Sequence, residues 1–138
     1  MDEIQQEIIE EFQFFEDWME RYEYIIELGK SLAPLDKTLK TDANIIKGCQ
    51  SNVWITAQLI DGKVQYQADS DAIITKGIVA LLLRVYSNQT PQTILDTQPD
   101  FIDKIGLKEN LSPTRANGLL AMIKQIKLYA LAFQTQSE

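Results

Sequence analysis

Large apolar residues recur every three or four positions at the start of the chain: Ile4, Ile8, Phe12, Phe15, Met19, Tyr22 and Ile26. That spacing makes one apolar helical stripe, with glutamates on the other side. Asp17 stands where it caps a second helix beginning at Trp18, so a break is predicted near Glu16-Asp17. Gly29, with Pro34 close behind, is predicted to end that helix. The segment "PLDKTLKTDAN" reads as a polar connection.

The period then changes to two. Val53, Ile55, Ala57 and Leu59 alternate with Trp54, Thr56, Gln58 and Ile60, and "KVQYQA" alternates again after the turn signal Asp61-Gly62. This predicts an antiparallel hairpin, to which Ala43 to Lys47 is expected to add a third strand. "AIITKGIVALLLRVYSN" is apolar on most sides and predicts a helix buried against the hairpin, capped by Ser70 or Asp71. A short helix starts with Pro91 at its first position, and "PDFIDKIG" gives another that ends at Gly106. The last helix opens at Ser112-Pro113 and carries Leu119, Met122, Ile123, Ile126, Tyr129, Ala130 and Phe133 on one stripe. Helices packed on a small antiparallel sheet make an α+β fold. The length of 138 residues fits one domain, 1–138.

Composition narrows the function classes. Apolar residues make up 45% of the chain, enough to build a core and to argue against disorder. The longest apolar run, Ile78 to Leu83, is far short of a membrane span. The acidic start lacks the basic and apolar regions of a signal peptide. A single cysteine suits a reducing compartment, so the cytoplasm is the expected location. Net charge is −7, and residues 1–30 alone carry ten acids against two bases. Such a face argues against nucleic acid, since it neutralises no phosphate, and reads first as a solvated helix surface.

The chain contains no histidine. With one cysteine and no imidazole, zinc-finger, Fe–S scaffold and facial-triad sites cannot be assembled within the chain, so no metal site is expected. A Cys–His hydrolase is excluded for the same reason. Neither GxGxxG nor GxxxxGK[ST] occurs, so no nucleotide or other cofactor is expected. A carboxylate pair stays open among the 20 acids, but no spacing singles one out.

The remaining chemical candidate lies in "IIKGCQSNVW", Ile45 to Trp54. A lone cysteine is ordinarily a small buried hydrophobe. Cys49, however, falls between two predicted strands, and its neighbours Gly48, Gln50, Ser51 and Asn52 are small or polar. Gly48 permits a sharp turn or the close approach of another molecule. A thiolate needs positive surroundings, and Lys47 is the only cation near in sequence. No general base is visible. A thiol so equipped does not run a catalytic cycle alone, but it can accept a group from an enzyme that brings its own activated donor.

Four ordered blocks carry a resemblance. "GCQSNVW" (48–54), "DWMERYEYIIELG" (17–29), "DSDAIITKGIVALLL" (69–83) with Thr90-Pro91 after it, and "LSPTRANGL" (111–119) together resemble the SufE family of sulfur acceptor proteins. The likeness extends from about residue 5 to 133. Asn52 stands where glutamine is common in that family, and Met19 where an acid is common. The resemblance implies helices around a small, curved, about three-stranded antiparallel sheet, related to the U-type cluster scaffolds. It implies that Cys49 takes sulfur from the persulfide of a SufS-type, pyridoxal-phosphate cysteine desulfurase, stimulates that enzyme, and passes the sulfur to a downstream Fe–S scaffold complex. It further implies a monomer or weak dimer, with no cluster held by the chain itself. The Cys49 sulfur is expected to pack against apolar neighbours until a partner draws the loop out.

Other residues have two readings each. Trp54 either packs in the core or walls the sulfur. Asp71 either caps a helix or supports partner contact near the acceptor loop. Arg115, a cation at the wrong end of a helix dipole, calls for an anionic partner: a structural carboxylate, or a group near the loop or on the desulfurase. Gly48, Gln50 and Ser51 are taken as loop-supporting or partner-binding. Two rival functions stay open: a homologous acceptor for a second desulfurase with another sulfur destination, and an interaction domain with an inert cysteine. Independent enzymatic activity is not expected.

Overall fold

The computed structural model describes residues 2–47 and 51–136. In chain order the elements are α1 (Asp2–Gln13), α2 (Trp18–Lys30), β1 (Val53–Ile60), β2 (Lys63–Ser70), α3 (Ile73–Tyr86), α4 (Pro91–Asp96), α5 (Phe101–Lys104), α6 (Leu107–Asn110) and α7 (Pro113–Gln136). A 3-10 turn at Lys37–Leu39 lies in the connection before the sheet. The fold is α+β.

The hairpin forms as its alternation dictates. Ile60 and Lys63 flank a two-residue turn in which Asp61 and Gly62 both take positive φ, 53° and 78°. That conformation matches the right-handed twist of the paired strands. Val53, Ile55, Val64, Tyr66 and Ala68 fill the inner face. The outer face pairs Trp54 with Asp69 and Thr56 with Gln67.

The expected third strand is reduced to one bridge, Ile45 to Trp54. It is held by Ile46 N–H to the Val53 carbonyl at 2.8 Å and Ile55 N–H to the Asn44 carbonyl at 3.0 Å. The other edge is covered in the same way, where Val64 exchanges hydrogen bonds with Gln89 and Asn88 at 2.8 and 2.7 Å. Both edges are thereby blunted against pairing with another chain.

α3 lies on the inner face, with Ile74, Ile78, Val79, Leu81, Leu82, Val85 and Tyr86 nearly inaccessible. α2 crosses it so closely that a β-carbon on Gly29 would sit 2.7 Å from the Gly77 nitrogen. One on Gly77 would lie 2.0 Å from the Ile25 carbonyl oxygen. Gly29 is therefore no helix terminator. It lies inside α2, which runs to Lys30, because the crossing leaves no room for a side chain.

Asp17 caps α2 as its position predicts, accepting from Glu20 N–H at 2.9 Å. The apolar stripe does not run on unbroken, however. The turn between α1 and α2 resets its phase, so Ile25 is buried while Met19 is 65% exposed. Thr90 caps α4 ahead of Pro91, and Ser112 Oγ accepts from Arg115 N–H at the start of α7. α6 follows Gly106, whose φ of 79° ends one turn and starts another; the sequence pattern predicts no helix there. On α7, Leu119, Met122, Ile126 and Ala130 are buried as the stripe predicts. Two tyrosines staple α7 to the hairpin: Tyr66 Oη donates to the Ile126 carbonyl at 2.6 Å, and Tyr129 Oη to the Ile55 carbonyl at 2.9 Å.

Candidate functional site

Gly48, Cys49 and Gln50 lie outside the described residues, but the chain on both sides of them is firmly tied. Before them, Ile46 is buried and paired to Val53. After them, Asn52 is clasped to the end of β2. Its backbone N–H and its side-chain amide donate to the two Asp71 carboxylate oxygens at 3.0 and 2.9 Å. Its carbonyl accepts from Ser70 Oγ at 2.8 Å and Asp71 N–H at 3.2 Å.

Asp71 is thus not a helix cap. The N-cap of α3 is Ala72, without a side-chain bond, and the Asp71 carboxylate is spent on Asn52. Ser70 ends β2, and its hydroxyl accepts from Ala72 N–H at 3.2 Å.

Ser51 opens onto a cavity of about 160 Å³ between α3 and α7. Ala72, Thr75 and Ile78 line it from α3; Arg115, Gly118 and Met122 line it from α7. Ser51 Oγ donates to Thr75 Oγ1 at 3.3 Å, which ties the chain after Cys49 to the cavity wall. The wall combines apolar Ile78 and Met122 with two hydroxyls and one guanidinium. Arg115 is exposed, and its side chain forms no ion pair among the described residues. The structural carboxylate that a cation at this helix end calls for is therefore not found there; Arg115 instead faces the cavity next to Ser51.

Trp54 is neither a core residue nor part of this cavity wall. Its strand alternation turns it to the outer face, where Lys40 Nζ stands 5.4 Å from the ring centroid. The same ammonium pairs with Asp69 at 3.1 Å, opposite Trp54 on β2. Asp69 also meets Lys76 Nζ at 3.3 Å, Ser70 N–H at 2.8 Å and Leu35 N–H at 3.4 Å. Burial is the strongest single influence on this carboxyl and opposes its ionisation, but these donors together outweigh it and hold the pKa below the ordinary aspartate value. Asp69 thereby ties the connection before the sheet to β2 and α3, two residues from Asp71 of the Asn52 clasp.

The sequence brings Ser51 and Arg115 forward, and they share the cavity. Thr75 and Met122 join them there without having been expected. Thr75 carries one signal, a hydroxyl within the apolar run "AIITKGIVALLL"; Met122 carries none, since it sits on the core stripe of α7. Among the described residues no group of three or more His, Cys, Asp or Glu converges as a metal site. No helix of the described residues is long and apolar enough to cross a membrane.

Comparison with known proteins agrees with this architecture. A family model described as "SufE: Fe-S metabolism associated domain" matches residues 6–130. An uncharacterized SufE-like protein of Synechocystis sp. is 46% identical over 127 residues, covering 92% of this chain and 80% of the relative. A SufE-like protein 1 of Arabidopsis thaliana, designated chloroplastic/mitochondrial, is 41% identical over 134 residues. That match takes in 96% of this chain but 36% of the plant protein. The solution structure of a hypothetical protein from Thermus thermophilus superposes with a TM-score of 0.78 at 21% identity, covering 96% of each chain, a likeness of fold. The chain belongs to the SufE family, whose domain is associated with Fe–S metabolism.

Proposed function

We propose that residues 1–138 form a single sulfur acceptor domain in which Cys49 receives sulfur from the persulfide of a pyridoxal-phosphate cysteine desulfurase and passes it to an Fe–S scaffold complex. The observation that carries this reading is the cavity beside Ser51, two residues from Cys49 along the chain. It offers apolar walls for a sulfane sulfur, and Arg115 at its lining favours an anion there.

In the transfer, the Cys49 thiolate attacks the outer sulfur of the donor persulfide. A bond forms between Cys49 Sγ and that sulfur, and the donor's own sulfur–sulfur bond breaks. The donor cysteine leaves as a thiolate and takes up a proton. No electron is gained or lost overall. Relieving the donor of its persulfide frees it for another turnover, which is how the acceptor stimulates it. The desulfurase carries the pyridoxal chemistry; this chain supplies the thiol, its surroundings and the docking.

Intact-protein mass spectrometry tests the reading. The chain is mixed with a SufS-type desulfurase and free cysteine, without reductant. A gain of one sulfur atom's mass, lost in Cys49→Ser, is expected. No gain with that enzyme or with a second desulfurase, together with full stimulation by Cys49→Ser, would leave an interaction domain with an inert cysteine.

A further inference from the structure

A groove of about 530 Å³ runs between the segment before Cys49 and α7, lined among others by Ile45, Lys47, Lys124 and Leu128. Lys47 lies two residues before Cys49, as Ser51 lies two residues after it. The acceptor cysteine is therefore flanked along the chain by this groove on one side and the Ser51 cavity on the other, and α7 lines both.

The charge of α7 is unusual for this chain. The chain carries net −7, yet the 24 residues of α7 include Arg115, Lys124 and Lys127 and no acid. Lys47, Lys124 and Lys127 form no ion pair among the described residues, whereas Lys40, Lys76 and Arg84 do. Leu120, Lys124, Lys127, Leu128 and Leu131 fall on one helical face. Leu120, Leu128 and Leu131 on it are 58%, 46% and 46% exposed. The result is a basic, leucine-bearing strip on α7, bordering the groove that Lys47 lines, in an otherwise acidic protein.

We infer that this groove and strip dock an acidic, apolar segment of the persulfide donor, an inference that rests on the acceptor reading above. Carboxylates of the donor segment meet Lys47 and Lys124, with Asp42 at the groove's edge limiting the site to a segment that aims its acids at the lysines. Apolar side chains of the segment cover Leu128 and its neighbours on the strip. The acidic residues of α1 and α2 repel the same donor, so the charge asymmetry turns the acceptor side of the molecule toward it.

The test measures Cys49 sulfur loading at varied desulfurase concentration for the wild-type chain, Lys124→Glu, Lys124→Gln and Lys63→Glu, the last an exposed cation at the hairpin turn. Circular dichroism melts confirm that each variant is folded. Lys124→Glu is expected to raise the half-saturating desulfurase concentration by about fivefold or more, with maximal loading unchanged. Lys124→Gln should fall between, Lys63→Glu should match wild type, and added salt should shrink the difference. Normal loading with the same half-saturation in Lys124→Glu would overturn the inference and leave the acceptor reading standing. No loading of the wild type would sink both. A wild-type dimer that Lys124→Glu dissociates, with loading unaffected, would assign the face to a second copy and also overturn the inference.

Discussion

The Asp71 carboxylate receives both the backbone N–H and the side-chain amide of Asn52, three residues beyond Cys49. Both residues are hydrophilic and exposed, so the pair adds little to global stability. Its effect is local, because it fixes the backbone at Asn52. Asp71→Ala is expected to leave the melting temperature nearly unchanged while raising the rate at which an alkylating reagent modifies Cys49. An unchanged rate would show that the clasp does not govern access to the thiol.

Arg115 lines the cavity from an exposed position and has no carboxylate partner among the described residues. Removing it should therefore cost the fold little and the chemistry more. Arg115→Ala is expected to slow sulfur loading of Cys49 by about tenfold or more, in line with a lost charge-assisted contact. Arg115→Lys should recover part of the rate. Loading at the wild-type rate in Arg115→Ala would remove this guanidinium from the site.

At the crossing of α2 and α3, geometry and propensity predict opposite signs. Alanine is favoured over glycine inside a helix by about 1 kcal/mol. At Gly77 the added β-carbon would lie 2.0 Å from the Ile25 carbonyl oxygen, so the helices must part. Overpacking of this kind costs about 1–3 kcal/mol, and here it meets backbone rather than a yielding side chain. Gly77→Ala is expected to lower stability in urea by at least about 2 kcal/mol; a stabilised variant would show that the crossing is looser than this.

Tyr66 Oη reaches the Ile126 carbonyl from a buried position between the hairpin and α7. Burial is the main reason its hydroxyl titrates well above the ordinary tyrosine range, so it stays a donor at any working pH. Tyr66→Phe removes the donor but leaves Ile126 its helical partner. The expected loss is about 1 kcal/mol of unfolding free energy, not the larger penalty of an orphaned carbonyl.

Local chemistry is legible in the sequence, and long-range geometry is not. Asp17, Thr90 and Ser112 stand as caps where short-range hydrogen bonding puts them, and Asp61-Gly62 turns the hairpin because both residues tolerate positive φ. Gly29 looks like a terminator because its purpose lies at Gly77, far along the chain. Asp71 looks like a cap because its partner, Asn52, lies 19 residues back, just before the other strand of the hairpin. The strand at Ala43 to Lys47 shrinks to a single bridge, since pairing there competes with the turns on either side. Ser51 and Arg115 stand out in the sequence, but the cavity that joins them exists only through the packing of α3 on α7.

Asp69 makes stability depend on acid. It is nearly inaccessible at 5% exposure, and Lys40, Lys76 and two backbone N–H groups hold its pKa below the ordinary aspartate value of 3.8. A carboxylate depressed by folding contributes stability that is fully present above its unfolded pKa. That contribution is lost as pH falls through the folded value, when the unfolded chain binds the proton first. The wild-type melting temperature is therefore expected to owe nothing to this group's titration between pH 7 and 5, and to fall below about pH 4. Asp69→Asn leaves Lys40 and Lys76 without their carboxylate, so it should melt lower at pH 7, with a shallower decline in acid. Parallel acid limbs for the two proteins would show that other carboxylates dominate. A further readout separates local from global effects. Lys40 also stands over Trp54, so the tryptophan emission of Asp69→Asn should shift at pH 7 even in the folded state, as the freed ammonium leaves the ring.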